Sequence, residues 1–271
     1  MNTETLVAQS PAASTAVMPG AEAQMHLTGC DHGVLLLHGF LGSPYEMKYL
    51  GNRLVDERYS VYIPRYPGHG TNLMEMTETT GVDWYRAARE AYLELRAHCR
   101  QVSIVGLSMG AAFATLLARE FAVSKIALLS MPCRIPQRTV YLAPVVSKFA
   151  RIIYRSDEDR ENFNRGIYDP EARQNHVGYF DGIPIGPSWE LHKIIKRAMS
   201  DLEHVHSDVL LIQSRNDDTI PEESLSVIAE GLRFASRDIL WLDRSNHAIT
   251  VDFDREQVAN TVTAFLRRYR F

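Results

Sequence analysis

The sequence is short of cysteine, of net charge and of long apolar runs. Its three cysteines, Cys30, Cys99 and Cys133, are odd in number and widely spread along 271 residues. That excludes a disulfide framework and offers no zinc-ligand spacing. Lysine plus arginine number 29 against 33 aspartate plus glutamate, a net charge of -4. So slight an acidity gives no attraction for a phosphate backbone, and nucleic acid is not an expected partner. No apolar run approaches the roughly 18 residues that a membrane-spanning helix needs, so no stable membrane anchor is expected. Residues 1–24 are rich in Ala, Ser, Thr and Pro, with no early Lys or Arg and no continuous apolar stretch of the kind an export signal carries. We expect this segment to be a flexible tail. With the unpaired thiols, it points to a cytoplasmic protein.

What is present is an ordinary globular balance, 45% hydrophobic and 23% charged, enough for a sizeable core in one or two domains. Short, fully apolar runs at 34–37, 61–63, 102–105 and 126–129 read as strands buried on both faces. Helical spacing fills the gaps at 44–58, 82–98 and 109–121. Strand and helix in alternation require parallel crossovers, hence an α/β sheet covered on both sides. The rhythm breaks over 132–205, where prolines fall at 132, 136, 144, 170, 184 and 187. It resumes with strands at 209–212 and 239–242 and helices near 222–232 and 254–269. We therefore expect a core built from residues 25–131 and 206–271, with 132–205 inserted as a cap.

Gly106-Leu107-Ser108-Met109-Gly110 fits G-x-S-x-G, and it follows a predicted strand and opens a predicted helix. That context is the one a nucleophile elbow requires, with Ser108 on a strained turn and small residues around it. An alkoxide attacking a carbonyl needs fixed N–H donors for the developing negative charge. The amide of Met109, directly after the serine, is one candidate. The amide of Phe40, in the turn His38-Gly39-Phe40-Leu41-Gly42 after the first strong strand, is the other. Serine also needs an imidazole to take its proton. His247 lies in the polar loop after the last predicted strand, at the carboxyl end of the sheet, where sites form in open α/β folds. His38 and His69 read as loop-bracing residues. His204 and His206 form an H-x-H pair without a third ligand, so no metal is expected. The orienting acid falls after the next-to-last strand, where Asp217 and Asp218 both stand. Asp217 is preferred, and Asp218 is the alternative that could face solvent or cap the next helix.

These segments together resemble the α/β-hydrolase superfamily, and within it bacterial carboxylesterases and thermostable monoacylglycerol lipases with a small cap. The resemblance spans about residues 30–271. It is carried by VLLLHGF (34–40), YPGHGT (66–71), GLSMG (106–110), SRNDDTIP (214–221) and SNHAITVD (245–252). It implies the α/β-hydrolase fold: a mostly parallel central sheet with helices on both faces and a small inserted cap. It also implies Ser108 as nucleophile, His247 as base, Asp217 as acid, and Phe40 and Met109 as oxyanion donors, without metal or organic cofactor. The expected partner is a small-molecule ester of short to medium chain length, monoacylglycerols included, with esters of an aryl acid such as a hydroxycinnamate as the alternative. Its acyl group would enter an apolar pocket walled by Leu41, Met131, Tyr141, Phe149, Ile152, Ile153 and Ile183. Other chemistries of the superfamily, such as thioester, lactone or carbon–carbon hydrolysis, stay open. So do a slow-turnover receptor role and the choice between monomer and homodimer.

Overall fold

The computed structural model describes residues 16–268. Among them, seven strands form the main sheet: β1 (Gln24–His26), β2 (His32–Leu37), β3 (Ser60–Ile63), β4 (Gln101–Leu107), β5 (Lys125–Leu129), β8 (Asp208–Ser214) and β9 (Arg237–Leu242). Their spatial order is β1-β3-β2-β4-β5-β8-β9, and every pairing is parallel except β1 with β3. The chain order reverses between β2 and β4, which makes the carboxyl ends of these two strands the switch point of the sheet.

Period-two alternation divides the apolar strands between two cores. Leu35, Leu37, Ile104, Leu128 and Leu211 face one side, beneath helices α3 (Gly81–His98), α4 (Met109–Glu120) and α9 (Ser224–Gly231). Val34, Leu36, Val105, Leu129 and Ile212 face the other, beneath α1 (Tyr45–Asp56) and α10 (Arg255–Arg267). Burial on both faces is why these strands read as continuous apolar runs. A reciprocal capping box between Thr80 and Asp83 starts α3. The small α2 (Leu73–Met76) follows the 66–71 turn, with Asn72 as its cap.

Between β5 and β8 lie α5 (Ala143–Val146), α6 (Asp157–Asn162), α7 (Pro170–Asn175), α8 (Ile185–Asp201) and a separate hairpin of β6 (Ile152–Tyr154) with β7 (Gly182–Pro184). This stretch departs from the expected insertion at its far end. Ile194, Ala198, Leu202 and Val205 pack into the same core cluster as α4, so the second half of α8 and the turn that follows it are a layer of the core.

Of the segment expected to be a flexible tail, residues 1–15 lie outside the described residues. Residues 16–24 are docked: the Met18 amide donates to the Gly70 carbonyl at 2.8 Å, Ala21 is fully buried, and Gln24 begins the β1 ladder. Composition concealed this because the contacts are main-chain hydrogen bonds and one small buried side chain, none of which needs an apolar run.

Candidate active site

Ser108 joins β4 to α4 with φ 54° and ψ −113°, a backbone conformation that L-residues rarely hold. Its amide donates to the Leu129 carbonyl at 2.8 Å, and its carbonyl accepts from the Ala111 and Ala112 amides at 3.0 and 3.3 Å. The turn survives only because its flanks are small. A Cβ at Gly106 would collide with the Gly110 carbonyl, and one at Gly110 would collide with the Leu37 carbonyl at the end of β2.

The imidazole of His247 meets the serine from the loop between β9 and α10. Nε2 lies 2.9 Å from Ser108 Oγ, and Nδ1 lies 2.8 Å from Asp217 Oδ2. A ring N–H at Nδ1 donates to the carboxylate and leaves Nε2 to accept the serine hydroxyl. Asp217 is almost wholly buried, and its second oxygen accepts the Thr219 and Ile220 amides at 2.9 and 3.1 Å. Those two bonds fix the carboxylate's rotamer. Asp218 turns elsewhere: its carboxylate accepts the Asn164 side-chain amide at 2.8 Å and the Thr219 hydroxyl at 3.3 Å. Thus Asp217, and not Asp218, faces His247.

The loop bearing His247 is tied down by two buried aspartates. Asp254 accepts the Arg244 and Ser245 amides, and Asp252 accepts those of Asn246 and Phe253. The Ser130 hydroxyl donates to the His247 carbonyl at 2.9 Å. Burial works to lower the His247 pKa. The charge and hydrogen bond of Asp217, with smaller help from Glu46 and Asp218, overcome it and hold the pKa above the ordinary histidine value.

Across the serine runs the turn after β2. Gly39 lies so close that an added Cβ would sit 3.6 Å from the Ser108 Cβ. The amides of Phe40 and Met109 have no protein acceptor among the described residues, so both are free to meet an incoming oxygen. His38 is fully buried, its Nδ1–H donates to the Gly39 carbonyl at 2.9 Å, and burial, then His69 beside it, hold its pKa well below the usual range. His69 is likewise lowered, to about 4, by burial. Both rings are neutral braces.

Glu46 is a participant that the sequence did not reveal. It is buried in the first turn of α1. One oxygen accepts the Gly39 amide at 2.8 Å, and the other lies 3.1 Å from His176 Nε2. Glycine at position 42 leaves room for this carboxylate, which a Cβ there would strike. An acid in the first turn of a helix is also an ordinary dipole partner, so nothing in the chain singled it out.

Two cavities meet at Ser108 and Phe40. One, of about 490 Å³, is lined mainly by carbon, with Val146, Ile153, Ile183, Ile185 and Ile220 among its walls. The other, of about 460 Å³, is the more polar of the two and includes Glu46, Arg155, Arg165, His176 and His247 beside apolar residues such as Phe163, Phe180 and Leu191. Of the expected acyl-pocket residues, Ile153 and Ile183 line the apolar cavity, and Leu41 lines the polar one. The other four do not line either. Met131 is buried among core residues, beside Thr115. Tyr141 and Phe149 are 61% and 87% exposed, on the outer side of the 138–150 stretch. Ile152 precedes Ile153 in the β6 ladder and so projects to the opposite face, whereas Ile153 and Ile183 are direct cross-strand partners. Their apolar character was visible in the sequence, but the facing of so short a hairpin was not.

Among the described residues no group of three or more His, Cys, Asp or Glu side chains is placed to hold a metal ion. His206 stacks on Phe234 instead. No helix among them is long and apolar enough to cross a membrane.

A carboxylesterase of Bacillus subtilis (strain 168) is 27% identical over 241 residues, covering 89% of this chain and 94% of that protein. A thermostable monoacylglycerol lipase of Bacillus sp. (strain H-257) is 26% identical over 254 residues, covering 93% and 97%. A solved structure reported with LipS and LipT, two metagenome-derived lipolytic enzymes, superposes with a TM-score of 0.83 at 28% identity, over 94% of this chain and all of that one. The model of the alpha/beta hydrolase family matches residues 34–261. Since that match runs from β2 into α10, across every loop that carries Ser108, Asp217 or His247, the chain belongs to the alpha/beta hydrolase family.

Proposed function

We propose that the protein is a serine esterase. It hydrolyses short- to medium-chain carboxylic esters, monoacylglycerols among them, through an acyl-enzyme. The observation that supports this reading most is the unbroken hydrogen-bond chain Asp217–His247–Ser108, at 2.8 and 2.9 Å, opening onto an apolar cavity of about 490 Å³. Ser108 Oγ attacks the ester carbonyl as His247 Nε2 takes its proton, and Asp217 stabilises the imidazolium. The Phe40 and Met109 amides receive the oxyanion, each a donor whose loss costs roughly 10²–10³ in rate. His247 then protonates the departing alcohol, and water releases the acyl group by the reverse sequence.

In this reading the stretch from residue 132 to β7 is the cap, with α5 and the β6–β7 hairpin walling the acyl site. The names of the two Bacillus relatives support an ester substrate. Three free thiols fit a reducing compartment, and the cytoplasm is the location we propose.

A fluorophosphonate probe should add its mass at Ser108, and Ser108→Ala should lose roughly 10⁴–10⁶-fold in kcat. Full activity in that variant, or labelling at another residue, would end the proposal. A p-nitrophenyl ester series should show an optimum and then decline once the chain outgrows the cavity. Equal rates from two to sixteen carbons would contradict a bounded acyl site.

A further inference from the structure

The more polar of the two cavities holds two cations that the proposed mechanism does not use. Arg155 and Arg165 both line it, beside Ser108 and His247. Each guanidinium rests on an aromatic face, Arg155 on Phe163 at 3.9 Å and Arg165 on Phe180 at 4.1 Å. Each donates one side-chain hydrogen bond to a main-chain carbonyl, Arg155 to Phe180 and Arg165 to Arg173, both at 2.9 Å. The remaining N–H groups of the two forks have no acceptor among the described residues, and neither guanidinium forms an ion pair there. The acids in the same cavity are already engaged: Glu46 by Gly39 and His176, Asp218 by Asn164 and Thr219. Burial pulls both guanidinium pKa values below the ordinary arginine value, against the raising fields of Asp181 on both and Asp159 on Arg155. Partly desolvated cations with donors to spare are suited to a planar or tetrahedral oxyanion.

We infer that this cavity is an anion subsite, and that the preferred ester carries a phosphate or carboxylate on its alcohol half. The acyl chain enters the apolar cavity, the scissile carbonyl sits at Ser108, and the anionic alcohol group meets Arg155 and Arg165. This rests on the ester-hydrolysis reading above, so the test keeps the two separable.

Three hexanoyl esters, short enough to stay monomeric, serve as probes: of glycerol, of glycerol phosphate and of glycerate. The wild-type kcat/KM should be at least tenfold higher for one or both anionic esters than for the glycerol ester. The phosphate and glycerate arms show which anion is preferred. In an Arg155→Gln/Arg165→Gln variant that ratio should fall toward one, whatever the absolute rate. Inorganic phosphate should inhibit glycerol-ester turnover competitively. Because any variant could lose rate by misfolding, calorimetry on Ser108→Ala gives a second readout. It should bind a preferred anionic ester at least tenfold more tightly than the neutral one. A ratio at or below one for both anions in the wild type, with the neutral ester still turned over, would overturn the anion subsite and leave esterase chemistry intact. Turnover of none of the three, alongside an anion preference in Ser108→Ala binding, would overturn the esterase reading and leave the subsite. Turnover of none with no binding preference would overturn both.

Discussion

Ser108, Asp217 and His247 stand on loops fixed by main-chain hydrogen bonds, whereas the walls above them hang from short elements with half-exposed side chains. Around His247, Asp252 and Asp254 gather the amides of Arg244, Ser245, Asn246 and Phe253. Asp252 also accepts the Tyr168 and Asp169 amides at 2.9 and 2.8 Å, linking this loop to the segment that covers it. Over the apolar cavity, by contrast, β6 and β7 have three residues each, and the exposed side of the 138–150 stretch carries Tyr141, Val145 and Phe149. In the proposed mechanism the first region holds the reacting atoms at hydrogen-bond distance, where small displacements cost much of the rate. The second needs only to exclude water and bound a chain, which many packings can do. Substitutions in the two regions should therefore differ both in size and in kind.

The largest contrast lies within a pair of neighbours. Asp217→Asn keeps the shape but removes the charge that sets the His247 tautomer, and kcat should drop roughly 10³–10⁴-fold. Asp218→Asn should cost less than about tenfold, because Asp218 does not touch the ring and contributes only a minor field. The pH profile sharpens the difference. As the proposed base, His247 works only when neutral, so kcat/KM should fall as pH drops through its pKa. That pKa is held above the ordinary histidine value, chiefly by Asp217 acting against burial. With Asp217 replaced by Asn, burial becomes the main influence and the acid limb should move to lower pH. An unmoved limb in Asp217→Asn, or equal losses in the two variants, would break the assignment of the acid.

Much of the first region was legible in the sequence, because its signals are steric. A strand that ends in glycine, serine and glycine before a helix has few other reasons to exist. The strand ends at 107, 214 and 242 put residues 108, 217 and 247 on one rim of the sheet as soon as the strands are parallel. Glu46 was hidden because its function depends on an approach to Gly39 that no local pattern encodes. The stretch between β5 and β8 was less legible still. An apolar residue in a three-residue strand faces either side with equal ease, so Ile152 and Ile153 could not be told apart before the register was known. Likewise Met131, one residue past Ser130, has ample apolar character but packs into the core.

Glu46 tests how far the fixed region extends. Glu46→Gln keeps an acceptor for the Gly39 amide but weakens it by removing the charge. Looser placement of the neighbouring Phe40 amide should lower kcat by about tenfold, well short of the roughly 10²–10³ expected for losing the donor itself. Because Glu46 also helps to raise the His247 pKa, the acid limb should shift slightly downward as well. A rise in KM alone, with kcat unchanged, would mean that Glu46 acts in binding rather than in positioning the loop.

The smallest effect separates two adjacent residues of β6. Ile153 lines the apolar cavity opposite Ile183, while Ile152 projects to the other face of the hairpin. Removing methylenes from a cavity wall lengthens the chain that fits, and each buried methylene contributes about 0.8 kcal/mol, or roughly fourfold. Ile153 is itself half-exposed, so only part of that is available. Ile153→Ala should thus raise kcat/KM for esters two carbons beyond the wild-type optimum by about two- to fourfold relative to shorter ones. Ile152→Ala should leave the chain-length profile in place, although it removes as much side chain. Both variants lose the same β-propensity in the same strand, so thermal stability measured in parallel controls for damage to the hairpin. A shifted optimum in Ile152→Ala but not in Ile153→Ala would reverse the facing of β6 and detach the hairpin from the acyl site.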